Sequence, residues 1–195
     1  MGNVLDGRPK PRVGIFADTC NQYKAARKMW DGNVNYQEIY RVACADRRLV
    51  IANAYVIRNP EDRSQPGFFS VLKYLGYRLR EKELRYLNDG RREGNWDIGL
   101  TVDAVNLGSQ LNVVVLVAGD GDFVPLVEDL QSKSCHIIVM SVSIALSKDL
   151  RNTANEVILL DQPQFRYMNG FSNNGPQPPT NNGKSGLMGD EAVKT

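Results

Sequence analysis

The stretch Val113-Val-Val-Leu-Val-Ala-Gly-Asp-Gly-Asp-Phe123 decides the fold. It begins with apolar, mostly β-branched residues in an unbroken run. Such a run marks a strand buried on both faces, as in the interior of a parallel sheet. From Phe123 onward the apolar residues fall at 123, 126, 127 and 130, a helical spacing. Asp120 and Asp122 therefore sit in a tight turn from the carboxyl end of a strand into a helix. Open α/β sheets bind their ligands along that edge. Carboxylates at such a turn either cap the helix or hold a cation, and this stretch alone leaves both readings open.

The rest of the chain repeats the strand–helix alternation. Val13 to Ala17 reads as a first strand that ends at Asp18. Thr19-Cys20-Asn21 reads as a turn and Gln22 to Trp30 as a helix, which Asp31-Gly-Asn33 breaks. A helical pattern covers 35–46, and Leu49 to Ile57 is β-branched and strand-like. Phe68 to Gly76 is expected to be helical, with Gly76 as its stop. The charged alternation from Tyr77 to Leu87 suits one or two strands near a sheet edge, and 88–94 form a basic, turn-rich loop. A helix is expected over 98–111, a strand over 135–141, a short helix over 147–152 capped by Ser147, and a last strand over 156–160. This order places the protein in the α/β class with a mostly parallel sheet. Residues 1–11 read as a flexible arm and 12–162 as the domain. Residues 163–195, rich in Gly, Pro and Asn, read as a disordered tail.

Composition narrows the function. A formal net charge of +2 gives no basic coat, so nucleic-acid binding cannot be argued from total charge. Cys20, Cys44 and Cys135 are odd in number and widely spaced, against a disulfide framework or a structural zinc site. No apolar run approaches the ~20 residues that span a membrane, and the first residues hold no signal-peptide core. The expected location is the cytoplasm. His136 is the one histidine and reads as a strand residue, which excludes histidine acid–base chemistry and a Ser-His-Asp triad at the acidic edge. The chain carries neither GxGxxG nor a P-loop pattern.

Acids from distant positions converge on the edge where Asp120 stands. Asp18 ends a strand parallel to the one before Asp120. The helix that begins after Asp97 runs back antiparallel to the strand it feeds, so Asp97 returns to the same edge. Helix capping, at about 1 kcal/mol, is the structural alternative for Asp97 and Asp122, and a turn is the alternative for Asp18. Clustered carboxylates raise one another's pKa unless a cation lies among them. Mg²⁺ and similar hard ions take oxygen ligands. They activate water and stabilise the leaving oxygen of a phosphodiester. Asp103 lies roughly 9 Å down the helix axis from Asp97. It either reaches the cluster from beneath or pairs with an Arg or a backbone group. Lys24, Arg27, Lys28, Arg91 and Arg92 stand near this edge and either meet phosphates or face solvent.

Asp18-Thr-Cys-Asn21, Trp96-Asp-Ile-Gly-Leu-Thr-Val-Asp-Ala104, Ala118-Gly-Asp-Gly-Asp-Phe-Val-Pro-Leu126 and the element from Leu150 to Asp161 resemble the motifs of NYN domains. These form the LabA-like branch of the PIN-like nuclease superfamily, and the resemblance spans about 12–161. It implies a three-layer α/β/α, PIN-like (Rossmann-like) domain around a central, mostly parallel sheet. It implies an acidic pocket for Mg²⁺ or Mn²⁺ and endoribonuclease or RNA-processing activity. Asp18, Asp97, Asp120 and Asp122 match the catalytic and metal-binding acids, with Asp103 as a further metal-binding position. Asn21, Lys24, Arg91 and Arg92 are the expected substrate contacts. RNA is the implied partner, a membrane is not, and homo-oligomerisation stays open. Ala118 and Gly121 depart from the hydroxyl residues usual around Asp120, and Asn155 stands where a closing Asp is common. A non-catalytic RNA- or protein-binding regulatory module on the same scaffold is the second reading.

Overall fold

Every residue of β7 (Val113–Val117) is buried, because the strand lies mid-sheet between β1 (Arg12–Asp18) and β8 (His136–Ser141). The computed structural model describes residues 9–86 and 92–167. From β1 the chain enters α1 (Thr19–Trp30), β2 (Asn33–Val34) and α2 (Tyr36–Cys44). It continues through β3 (Arg48–Arg58), α3 (Gln65–Tyr74) and β4 (Arg78–Glu83). A short antiparallel pair, β5 (Arg85–Tyr86) and β6 (Arg92–Glu93), precedes α4 (Asp97–Gly108). After β7 come α5 (Val124–Ser132), β8, α6 (Lys148–Thr153), β9 (Glu156–Leu159) and β10 (Arg166–Tyr167).

The main sheet has the order β4-β3-β1-β7-β8-β9, with every neighbouring pair parallel. The chain works outward from β1 to β4, returns to the centre at β7 and works outward to β9. The direction of winding therefore reverses between β1 and β7, the crevice where doubly wound sheets bind ligands. Side chains alternate across each strand. Val13, Ile15 and Ala17 of β1 face a core shared with Ala26, Ile39 and Leu72 of α1, α2 and α3. Phe16 joins Leu100, Val127 and Leu150 of α4, α5 and α6 on the other side. The result is the expected three-layer α/β/α arrangement.

The structure departs from the sequence reading at identifiable places. α1 begins at Thr19, so the expected turn over 19–21 is its first turn. α4 ends at Gly108, short of the expected 111. Residues 163–167 were expected in the disordered tail, yet they pack on the domain. Phe165 is 2% exposed, and β10 pairs antiparallel with β2. Tail composition, averaged over many polar residues, conceals this single large apolar anchor. Residues 1–8 of the expected arm, and the tail from 168, lie outside the described residues. Gly76 ends α3 at φ +92°, a conformation that favours glycine. Among the described residues no helix is long and apolar enough to cross a membrane.

Candidate active site

β1 and β7 bring Asp18 and Asp120 to the two sides of the switch point. Asp18 is the N-cap of α1: its Oδ1 accepts hydrogen bonds from the Cys20 and Asn21 backbone N–H groups, each at 3.1 Å. Asp120 plays the same part in the 3₁₀ turn 121–123, accepting from the Asp122 N–H at 3.0 Å. The capping alternative thus belongs to Asp18 and Asp120 and not to Asp97 or Asp122. A cap residue keeps an extended backbone while its side chain turns back over the first turn. Residues at strand ends meet that need. Asp97 already lies inside the first turn of α4, after Trp96, and makes no capping bond.

Trp96 fixes where α4 starts. Its Nε1 donates to the Val56 carbonyl at 2.9 Å, and its ring packs against Tyr55 with centroids 5.4 Å apart. The Lys82 ammonium lies 4.2 Å from the centre of the indole. Asp97, the next residue, is thereby set over the edge with Lys82 nearby.

The acids sense one another. Burial pushes Asp18 up to about 6, the charge of Asp97 adds to the rise, and its backbone hydrogen bonds and Lys24 oppose it. Asp97 is raised by burial and by Asp120 and Asp122, against Lys82. Asp18, Asp97, Asp120 and Asp122 therefore share one field of negative charge at the carboxyl edge. Among the described residues, however, no group of three acids stands close enough to grip one ion together. Mg²⁺ needs less than that: it is commonly held by one or two carboxylates and keeps several waters. The donor set, all carboxylate oxygen, fits such an ion.

Asp103 does not join the other acids. The Tyr55 hydroxyl donates to its Oδ2 at 2.9 Å, Arg80 Nε lies 3.1 Å from the same oxygen, and an Arg80 Nη donates to Oδ1 at 3.3 Å. The pairing of β3 with β4 sets Tyr55 directly beside Arg80, so the two reach α4 together. The Arg pairing, not the cluster, accounts for this buried-side carboxylate, and both oxygens are occupied by protein.

Asn21 stands at the edge, its Oδ1 accepting from Gln22 Nε2 at 2.9 Å, and Lys24 is exposed one turn further along α1. Arg27 pairs with Asp31 at the far end of the helix. Arg91 lies outside the described residues, as does the side chain of Arg92. His136 begins β8, on the opposite edge of the sheet, 3.8 Å from Glu156.

With this geometry in place, the chain matches the NYN domain family over residues 12–161. The chain belongs to the NYN domain family. NYN domains are part of the PIN-like nuclease superfamily. The chain is 34% identical over 158 residues to the low amplitude and bright protein LabA of Synechococcus elongatus, covering 77% of this chain and 84% of that one. A crystal structure of a Vibrio parahaemolyticus protein of unknown function superposes with a TM-score of 0.76 at 29% identity, covering 84% of this chain and all of the other.

Within this NYN domain, several edge residues escape sequence reasoning. Gln22 is fully buried. Its Oε1 accepts from the Val142 N–H at 2.8 Å, and its Nε2 donates to Ser141 Oγ at 3.1 Å and to Asn21. It locks α1 to the end of β8. The available signal was its place on the inward stripe of α1, with Thr19, Ala25 and Ala26. The Ser147 N–H donates to the Gly119 carbonyl at 2.8 Å, and a Cβ at Gly121 would lie 3.2 Å from Ser147 Oγ. The hydroxyl that Gly121 lacks thus stands beside the turn from another element. Asn155 is remote from the acids. Its Oδ1 accepts from Ile137 N–H and Gln131 Nε2 at the start of β8.

Proposed function

We propose that this NYN protein hydrolyses phosphodiester bonds in RNA, with Mg²⁺ or Mn²⁺ held at the carboxyl edge by Asp18, Asp97 and Asp120, partly through water. The observation that carries the reading is the placing of Asp18, Asp97, Asp120 and Asp122 along one edge across the switch point, where burial first, and then the charges of Asp120 and Asp122 on Asp97 and of Asp97 on Asp18, disfavour the ionised carboxylates. Such a field of unneutralised charge is relieved by a cation. A bound divalent ion would supply activation of water and neutralisation of charge on the phosphate. Asp122 is exposed at the mouth of the site. Lys24 and Lys82 flank the acids and suit phosphate contacts on either side. Arg91 and Arg92 belong to the proposal as further contacts to the strand. Asp103 serves it only by holding α4 in place. We propose a reducing, cytoplasmic setting, in keeping with the unpaired Cys20, Cys44 and Cys135.

The test is metal binding read by melting temperature. Mn²⁺ should raise the melting temperature of the wild-type protein, and the shift should vanish in Asp97→Asn. No shift at millimolar Mn²⁺ would remove the metal from the reading. A second reading, an RNA- or protein-binding module without catalysis, is favoured by the lack of a three-acid grip among the described residues. It predicts RNA binding with no cleavage in either metal.

A further inference from the structure

Beside the acidic edge, a cavity of about 370 Å³ opens between α1 and α3. Ile57, Phe68 and Phe69 line it, with Tyr23 of α1 half-exposed beside them. Two polar groups distinguish it from a plain apolar cleft. Asn33 and Tyr36 are 8% and 5% exposed, and both line the cavity. Neither the Asn33 amide nor the Tyr36 hydroxyl has a hydrogen-bond partner among the described residues, and neither is sealed inside protein. Both groups open onto the cavity with their bonding capacity uncommitted to protein, so this pair is suited to a ligand that engages them.

The chemistry of the lining selects that ligand. The charged groups are already committed: Arg27 pairs with Asp31, and Asp62 accepts from the Ser64 N–H and Oγ. What is left free is neutral, an amide that both donates and accepts and a hydroxyl. That suits the edge of a nucleobase and not a phosphate. Aromatic side chains add a stacking surface of the kind that holds unstacked bases. The volume is at the small end of ligand pockets, which run from about 300 to 1,000 Å³. It admits a single base.

Position supplies the link to the acids. Thr19 and Cys20 line the cavity and follow directly on Asp18, and the Asp18 charge reaches both Tyr36 and Cys20. We propose that this cavity takes one unstacked nucleobase of the single-stranded RNA held at the acidic edge, with Asn33 and Tyr36 reading its hydrogen-bonding edge. The proposal rests on the RNA reading above for the source of the base, and it makes the cavity the origin of base preference.

The test uses the full chain with Ca²⁺ in place of Mg²⁺ or Mn²⁺, so that the acidic edge is neutralised while cleavage is suppressed, with labelled homopolymeric decamers of A, C, G and U followed by fluorescence anisotropy. The wild-type protein should prefer one base. Asn33→Ala should lose about tenfold on that base and level the four affinities. Tyr23→Ala, on the open face of α1, should weaken all four and serves as the test if Asn33→Ala does not fold. Equal binding of the four decamers by the wild type, or an unchanged preference in Asn33→Ala, overturns the proposal. Free nucleoside monophosphates form the second arm. Asn33-dependent binding of these without binding of the decamers overturns the RNA source and assigns the cavity to a soluble nucleotide. No binding of either overturns the proposal outright. The two readings fail separately: Asp120→Asn should keep the base preference whatever happens to cleavage, and cleavage without any base preference removes only the cavity.

Discussion

The Tyr55 hydroxyl donates a 2.9 Å hydrogen bond to Asp103 Oδ2. That bond ties the middle of α4 to β3, and Arg80 takes the same carboxylate from β4. The helix that delivers Asp97 to the edge is thus held from beneath by protein.

Tyr55→Phe should destabilise the protein by about 1–3 kcal/mol in chemical denaturation, because Tyr55 is fully buried and Asn53 Nδ2 loses its acceptor. Arg80→Ala should cost about 1 kcal/mol or less, since that pair is partly exposed. Mn²⁺ affinity should fall far more in Asp97→Asn than in Asp103→Asn. Equal losses would return Asp103 to the metal set.

Asp18 makes stability depend on pH in a direction that can be worked out. Its folded pKa of about 6 exceeds the ordinary value of 3.8. Its contribution is therefore fully present at low pH and is lost as pH rises through about 6. Metal-free protein should be less stable at pH 7.5 than at pH 5, with a lower melting temperature, by about 1.4 kcal/mol of the roughly 3 kcal/mol that the whole shift spans. Asp18→Asn retains an N-cap and removes the buried charge. It should flatten that dependence and raise the melting temperature at pH 7.5. An unchanged pH slope in the variant would count against a charged, buried Asp18.

The glycines around Asp120 should respond differently to substitution. A Cβ at Gly119 would press on the Ala145 backbone carbonyl, which cannot turn aside. Gly119→Ala should cost about 1–3 kcal/mol. At Gly121 the neighbour is the Ser147 side chain, which can yield, so Gly121→Ser should change stability by about 0.5 kcal/mol or less. Thermal melts of the two variants side by side test this.

Gln22→Leu should lower stability by about 1–3 kcal/mol, because the Val142 N–H loses its partner in a buried site. Denaturant titration measures it. A neutral result would mean that Val142 finds another acceptor.

How much of this was legible in the chain depends on the kind of signal. β1 and β7 are buried apolar runs, and a helix between parallel strands must run back. Those facts alone bring Asp18, Asp97 and Asp120 to one edge. Which acid caps a helix turns on a single residue of boundary, finer than periodicity resolves, and so Asp18 was missed as a cap. Arg80 is one cation among several in the charged β4, and only strand register selects it for Asp103. β2 and β10 are too short to carry a period. Asn33 follows a helix break and shows its buried, unpaired amide only once α1 and α3 are in place.

The central claim is tested most directly by cleavage of an end-labelled single-stranded RNA at pH 7.5 with Mn²⁺, comparing the wild type with Asp120→Asn. Asn can still accept from the Asp122 N–H, so the variant should melt close to the wild-type temperature. Metal-dependent cleavage should fall by about a hundredfold or more. Undiminished cleavage by the folded variant would contradict an active site at the edge between β1 and β7.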